Sequence, residues 1–252
     1  MEQNLIDAGQ QNFTLPHDVV TLPSKGVFYK NKKSSVKVGY LNASDENILV
    51  SGSQLGRENI IMTLLRNKVY EPDLKPEELV EGDIEAILLF LRNTSFGPEY
   101  SVNLIDPKTD KIFNHIEIID EMMYKKVDSQ PDSDGLFSAK LPRTGVTVKL
   151  KPLTMGDTME LDRMESQYPA GLVIPKITWR LNKMIQSIDG NSDRGVISQF
   201  VETMPILDSK FVREFIKKNN PGLELTRYAI APSGERVTFD VTFGVEFFRP
   251  FF

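Results

Sequence analysis

The order in which short signals recur along this chain restricts its fold more than any other feature. Leu22-Pro23-Ser24-Lys25-Gly26 is followed by an alternating segment suited to a strand, and so is Leu141-Pro142-Arg143-Thr144-Gly145. Within those segments Val36-Lys37, Leu41-Asn42 and Asp45 are matched by Val148-Lys149, Leu153-Thr154 and Asp157 at a constant offset of 112 positions, from 36 to 148. A carboxylate just inside a helix start answers the unpaired N–H groups there, so Asp45 and Asp157 read as helix-opening residues. Core-facing helices are expected next, over Asn59 to Val69 and Ile177 to Ile188, because apolar residues return at i, i+3 and i+4. Further on, Asp83, Phe90, Gly97 and Glu99 are matched by Asp208, Phe215, Gly222 and Glu224 at an offset of 125, from 83 to 208. Gly97 and Gly222 stand where a helix would stop. Each half then closes on a hairpin pattern: Tyr100 to Ile105 and Lys111 to Ile118 flank Pro107, and Leu225 to Ile230 and Arg236 to Phe243 flank Pro232.

Chance does not keep its order over so many elements, and we read an internal duplication. The expected fold class is α+β, with two tandem related repeats that each combine a small antiparallel sheet and hairpin with a few helices. An extended N-terminal arm over residues 1–20 precedes the first repeat, 21–128. Residues 129–140, rich in turn formers and acids, form a linker to the second repeat at 141–246, and 247–252 is an aromatic C-terminal segment.

Composition narrows the chemistry. The 252 residues include no cysteine, which excludes disulfides, Cys-ligated zinc and thiol nucleophiles, and only two histidines, His17 and His115, neither with a spaced ligand partner. A serine nucleophile elbow, a Walker loop and a glycine-rich dinucleotide turn are all missing, so no enzyme, cofactor, metal or small-molecule substrate is expected. The net charge of −5 argues against nucleic acid as a general partner. One local exception is Lys30, Lys32 and Lys33 beside Phe28 and Tyr29, a basic patch next to a stacking platform that would suit phosphate. The polar start Met1-Glu2-Gln3-Asn4 and the lack of any run near the roughly 20 apolar residues of a span give no membrane expectation.

Three stretches together resemble the baseplate hub and tail-assembly protein family of T-even-like contractile-tailed bacteriophages. They are Leu22 to Tyr29, Val36 to Asp45, and Gly82 to Arg92 with Ser95-Phe96-Gly97-Pro98-Glu99-Tyr100. The resemblance implies structural or assembly work without catalysis, as a central hub subunit or a hub-assembly factor. Its implied partners are other phage baseplate or tail proteins, in the host cytoplasm during assembly and in the virion tail if the chain is retained. Family members often carry a Cys-Pro-x-Cys hairpin; here Asp106-Pro107-Lys108-Thr109 and Ala231-Pro232-Ser233-Gly234 keep the proline without the cysteines. By that comparison the hairpins are zinc-ribbon-like knuckles without the metal, and an adaptor using Lys30, Lys32 and Lys33 on nucleic acid is the competing expectation.

Phe247-Phe248-Arg249-Pro250-Phe251-Phe252 concentrates more apolar area than a frayed end leaves in water. Either it folds back into a groove of its own chain or Phe247, Phe248, Phe251 and Phe252 anchor in a partner, with Arg249 positioned for a cation–π or carboxylate contact. If it folds back, some rings are expected on the second repeat.

Overall fold

The computed structural model describes residues 16–50, 57–120, 122–243 and 246–248, and in them short strands and helices alternate. The first half runs β1 (His17–Thr21), β2 (Ser35–Gly39), α1 (Ala43–Val50), α2 (Arg57–Lys68), a 3-10 turn at Pro76–Glu78, α3 (Glu81–Phe96), β3 (Glu99–Ile105) and β4 (Ile112–Ile118). The second runs β5 (Phe137–Lys140), β6 (Thr147–Leu150), α4 (Met155–Ser166), α5 (Lys176–Met184), β7 (Ile185–Ile188), α6 (Arg194–Thr203), α7 (Ile206–Asn219), β8 (Thr226–Ile230), β9 (Arg236–Asp240) and a 3-10 turn at Glu246–Phe248. All sheets are small and antiparallel: β1-β2, β3-β4, β5-β6-β7 and β8-β9. The α+β class expected from the sequence is the observed one.

The Leu-Pro-x-x-Gly segments both connect the strands of a pair, β1 to β2 and β5 to β6, and Gly26 (φ 76°) and Gly145 (φ 73°) both take the left-handed conformation that such turns require. Each loop is tied to a buried aspartate near the start of a later helix. Asp83 of α3 accepts from the Ser24 N–H at 2.8 Å, from Ser24 Oγ at 2.5 Å and from the Tyr29 hydroxyl. Asp208 of α7 accepts from the N–H groups of Arg143 (2.7 Å) and Thr144 (3.0 Å). Ser24 and Arg143 occupy the same place in the two loops, and both carboxylates are fully buried.

A second arrangement also occurs twice. Asn42 and Asp45 hold each other's backbone N–H across the first turn of α1, and Thr154 and Asp157 do the same at α4, so both acids close a capping box. Each then meets a lysine from the end of the following helix: Lys68 of α2 lies 2.5 Å from Asp45, and Lys183 of α5 lies 3.4 Å from Asp157. The Asp45–Lys68 pair is buried, where losing either partner costs about 3–5 kcal/mol because an uncompensated charge remains.

Elsewhere the halves depart from one another and from the sequence expectation. Ile177 to Ile188 is not one helix: α5 stops at Met184, and Ile185–Ile188 pairs with β6 as a third strand. The apolar period is compatible with both, and the turn that follows, with positive φ at Asp189 and Gly190, reverses the chain for pairing. β7 and α6 have no equivalent among the described residues of the first half. Gly97 caps α3, but Gly222 lies beyond the Asn220 cap of α7 and serves instead as a contact. A Cβ on Gly82 would fall 1.9 Å from the Pro221 carbonyl oxygen and 2.5 Å from Gly222 Cα, so the backbones of the two halves touch there. The segment boundaries also move: residues 17–20, assigned to the arm, belong to β1, and residues 137–140, assigned to the linker, form β5. Residues 1–15 lie outside the described residues.

Among the described residues there are two hydrophobic cores. One gathers Phe137, Leu141, Val148, Leu150, Leu181, Ile185, Ile197 and Val212 of the second half. The other surrounds α3, apolar on nearly every side, and also takes in Met155, Leu223, Val241, Phe243, Phe247 and Phe248 from the second half. Short bridges, Val80 with Thr154 and Tyr124 with Leu223, join the halves further.

The paired latches make a prediction. Removing either carboxylate strands buried donors, so Asp83→Ala is expected to lower unfolding stability by about 3 kcal/mol and Asp208→Ala by about 2 kcal/mol, read by urea denaturation. Wild-type stability in either variant would show that its carboxylate does not hold the loop.

Candidate functional site

Hairpins β3-β4 and β8-β9 pack on each other through their inner faces. His115 of β4 meets the Phe239 ring of β9 edge-on at 5.7 Å, Glu117 lies 3.3 Å from Arg227, and at the tips Asp106 accepts from the Ser233 hydroxyl (2.7 Å) and N–H (3.1 Å). Pro107 and Pro232 thus sit in two adjoining hairpin tips.

Because side chains alternate along a strand, everything that does not face this seam faces outward. On β3-β4 the outward set is Glu99, Ser101, Asn103 and Ile105 with Ile112, Asn114, Ile116 and Ile118. The isoleucines are largely uncovered: Ile105 is 59% exposed, Ile112 73%, Ile116 54% and Ile118 53%. Cross-strand pairing puts Ile105 opposite Ile112, Asn103 opposite Asn114, Ser101 opposite Ile116 and Glu99 opposite Ile118. Single exposed apolar residues are ordinary, whereas four on one sheet face, two on each side of the Asn103–Asn114 row, make that face a candidate contact surface. Sequence reasoning missed it. The available signal was that this hairpin is apolar on both faces, with Val102, Leu104 and Phe113 on one side and the isoleucines on the other, and one neighbouring layer covers only one.

Two of the four aromatic rings near the end of the sequence are described, and the chain itself covers both. Phe247 and Phe248 are buried in the core around α3 of the first half, with Phe243 of the second half packed against Phe247. Arg92 near the end of α3 makes the seat: its guanidinium donates to the carbonyls of Gly97, Glu99 and Phe247 and lies 5.4 Å from the Phe247 ring centroid and 5.9 Å from that of Tyr100. Phe243 and Phe248 pack edge-on to Phe247 at 4.7 and 5.2 Å. These two rings are therefore occupied within the chain. Arg249, Phe251 and Phe252 lie outside the described residues. Phe247→Ala is expected to destabilise the fold by about 3–5 kcal/mol, as for other large buried rings, and thermal melting will measure it; an unchanged midpoint would remove the ring from the core.

The basic patch is largely compensated. Lys33 is paired with Glu71 and, at 2.6 Å, with Asp73, which hold its ammonium above the usual lysine range. Lys32 donates to the Val27 and Ser133 carbonyls at 3.0 and 2.5 Å, and Lys30 is exposed. The positive potential offered to a phosphate is reduced accordingly.

Two concavities accompany these surfaces. A groove of about 650 Å³ runs between β1 and α3, with Val20, Leu89, Phe90, Met122, Met123 and Tyr124 on its walls. A cleft of about 420 Å³ lies among Lys151, Glu160, Trp179, Lys183 and Arg194, where Lys183 is already paired with Glu160 at 2.7 Å. Among the described residues no group of three His, Cys, Asp or Glu side chains is disposed to hold a metal ion, and no helix is long and apolar enough to cross a membrane.

One acid at the junction of the halves is strongly perturbed. Glu85 of α3 is pushed up to about 7, first by burial and then by the nearby Glu81; the Leu223 N–H at 3.4 Å and Lys125 act in the opposite sense. The folded value exceeds the unperturbed 4.5, so the folded state keeps a proton that the unfolded chain gives up. Stability from this group is full below about 4.5 and lost as pH rises through about 7. Urea unfolding should find Glu85→Gln more stable than the parent by about 1–3 kcal/mol at pH 8 and little changed at pH 5. A difference of equal size at both pH values would contradict the shift.

Comparison of the chain with protein-family models, curated proteins and solved structures finds no match.

Proposed function

We propose that this chain is a non-enzymatic structural or assembly protein of the tail baseplate of a contractile-tailed bacteriophage, either a central hub subunit or a factor needed to build the hub. The observation that carries the reading is the uncovered isoleucine face of β3-β4, an apolar surface held on a braced pair of hairpins and suited to permanent or transient burial in an assembly. The sequence resemblance supplies the kind of assembly. The competing adaptor reading relied on Lys30, Lys32 and Lys33, and two of those three cations are engaged within the fold.

In this reading the hairpin face meets other tail proteins, and Arg249, Phe251 and Phe252 remain a second proposed anchor. Phe247 and Phe248 leave that role because their rings are spent on the chain's own core.

The test is complementation. A phage lacking this chain is expected to yield defective tails that the wild-type chain restores and that Ile112→Lys with Ile116→Lys does not, although the doubly substituted chain melts normally. Deleting residues 249–252 should leave the melting midpoint in place and reduce incorporation, whereas deleting 247–252 should also lower the midpoint. Normal tails without the chain would overturn the assignment, and full rescue by the lysine variant would remove the isoleucine face from it.

A further inference from the structure

The outer face of β3-β4 carries a pattern that restricts what can cover it. Moving from hairpin base to tip, its rows are Glu99 with Ile118, Ser101 with Ile116, Asn103 with Asn114, and Ile105 with Ile112. An uncharged polar row is thus flanked on both sides by isoleucine, and the single charge on the face lies in the outermost row at the base. Beyond the opposite end, the tip exposes Lys108 and Lys111 with Asp110.

We propose that this face pairs with the same face of a second copy of the chain, about a two-fold axis through the Asn103–Asn114 row. The proposal rests on the reading of the hairpin face as an assembly contact and names its occupant. In an isologous contact every group near the axis meets its own counterpart, so a charged row there would repel itself. Here that row is two amides. Asn114 Nδ2 donates to Ser101 Oγ at 2.7 Å and to Asn103 Oδ1 at 3.2 Å. An amide carries both a donor and an acceptor, so Asn103 and Asn114 can each meet their own copy across the axis, Nδ2 to Oδ1, without the repulsion a charge would bring.

One row away, the two-fold lays Ile112 of one copy over Ile116 of the other and Ile105 over Ser101, so the isoleucine pair near the tip is covered by the Ser101–Ile116 row. The next row brings the lysine-bearing tip to the level of Glu99, opposite charge to opposite charge. A neutral centre with complementary ends permits two acidic chains, each at −5 overall, to approach face to face. The isoleucines expose an apolar patch on the order of 400 Å². With the amide and serine rows each copy would bury about 600 Å², near the lower bound for a specific pair. The dimer is therefore weak and dependent on concentration.

The absence of cysteine makes a direct test practical. Sedimentation of the full chain from roughly 1 to 300 µM should show a monomer–dimer equilibrium. Ile112→Lys and Asn103→Asp should each shift its midpoint upward at least tenfold, with melting unchanged, because both side chains are exposed. Under mild oxidation Asn114→Cys, beside the axis, should form a disulfide-linked dimer. Thr238→Cys, on the exposed face of the other hairpin, should not. A monomer throughout, or equal cross-linking at both positions, overturns the proposal. A chain that stays monomeric yet still complements tail assembly would refute self-pairing and leave the proposed function standing; a dimer dispensable for tails would do the reverse.

Discussion

The Asp83 carboxylate, fully buried at the head of α3, is the interaction from which the rest of the first half is hung. Burial disfavours its charge and raises its proton affinity, and the hydrogen bonds from Ser24 and Tyr29 offset that cost. The Tyr29 hydroxyl, donating to Asp83, also accepts from the Val80 N–H at 3.2 Å, so one acid fixes the loop after β1 and the residue that leads into α3. α3 in turn seats β1, the C-terminal rings and the backbone of residues 221–222. Asp208 does the corresponding work for a shorter loop with backbone donors alone, since the chain needs only residues 141–146 to pass from β5 to β6.

Much of this was legible in residues, for physical reasons that can be named. Leu-Pro-x-x-Gly marks a turn because a glycine must take positive φ there, and Asp45 and Asp157 mark helix starts because a side-chain oxygen is the cheapest answer to unpaired N–H groups. The matched pair Asp83 and Asp208 was visible as a register, but its purpose was not. A carboxylate that reaches back 59 positions, from Asp83 to Ser24, leaves no local trace in composition or period. β7 was misread because isoleucines at 185 and 188 satisfy a helical face as well as a strand, and pairing with β6 decided between them. The terminal rings were expected to touch the second half, as Phe247 does through Phe243, but the seat built by Arg92 lies 155 positions away in sequence, a contact no window could anticipate.

The same long-range economy explains the character of the hairpins. Neither two-stranded ribbon is stable alone in water, and each supplies the other with one covered face. Asp106, buried at one tip, is satisfied from the other tip by Ser233, which fixes the ribbons' relative position. What this brace leaves over is a stiff, outward-facing strip of isoleucine and amide. A rigid strip loses little conformational freedom when it is covered, which favours contacts made by shape over contacts made by charge.

The seat of Phe247 and Phe248 in the first core has a consequence for how the chain is made. At roughly 5–20 residues per second on the ribosome, α3 and its surroundings wait on the order of ten seconds before the rings that complete them emerge. During that interval the groove around Arg92 is open and apolar, so protease sensitivity of ribosome-bound intermediates should persist there long after the first half has been synthesised. The core of the N-terminal half is thus finished by residues that lie 155 positions beyond Arg92, and it closes only once Phe247 and Phe248 have been made.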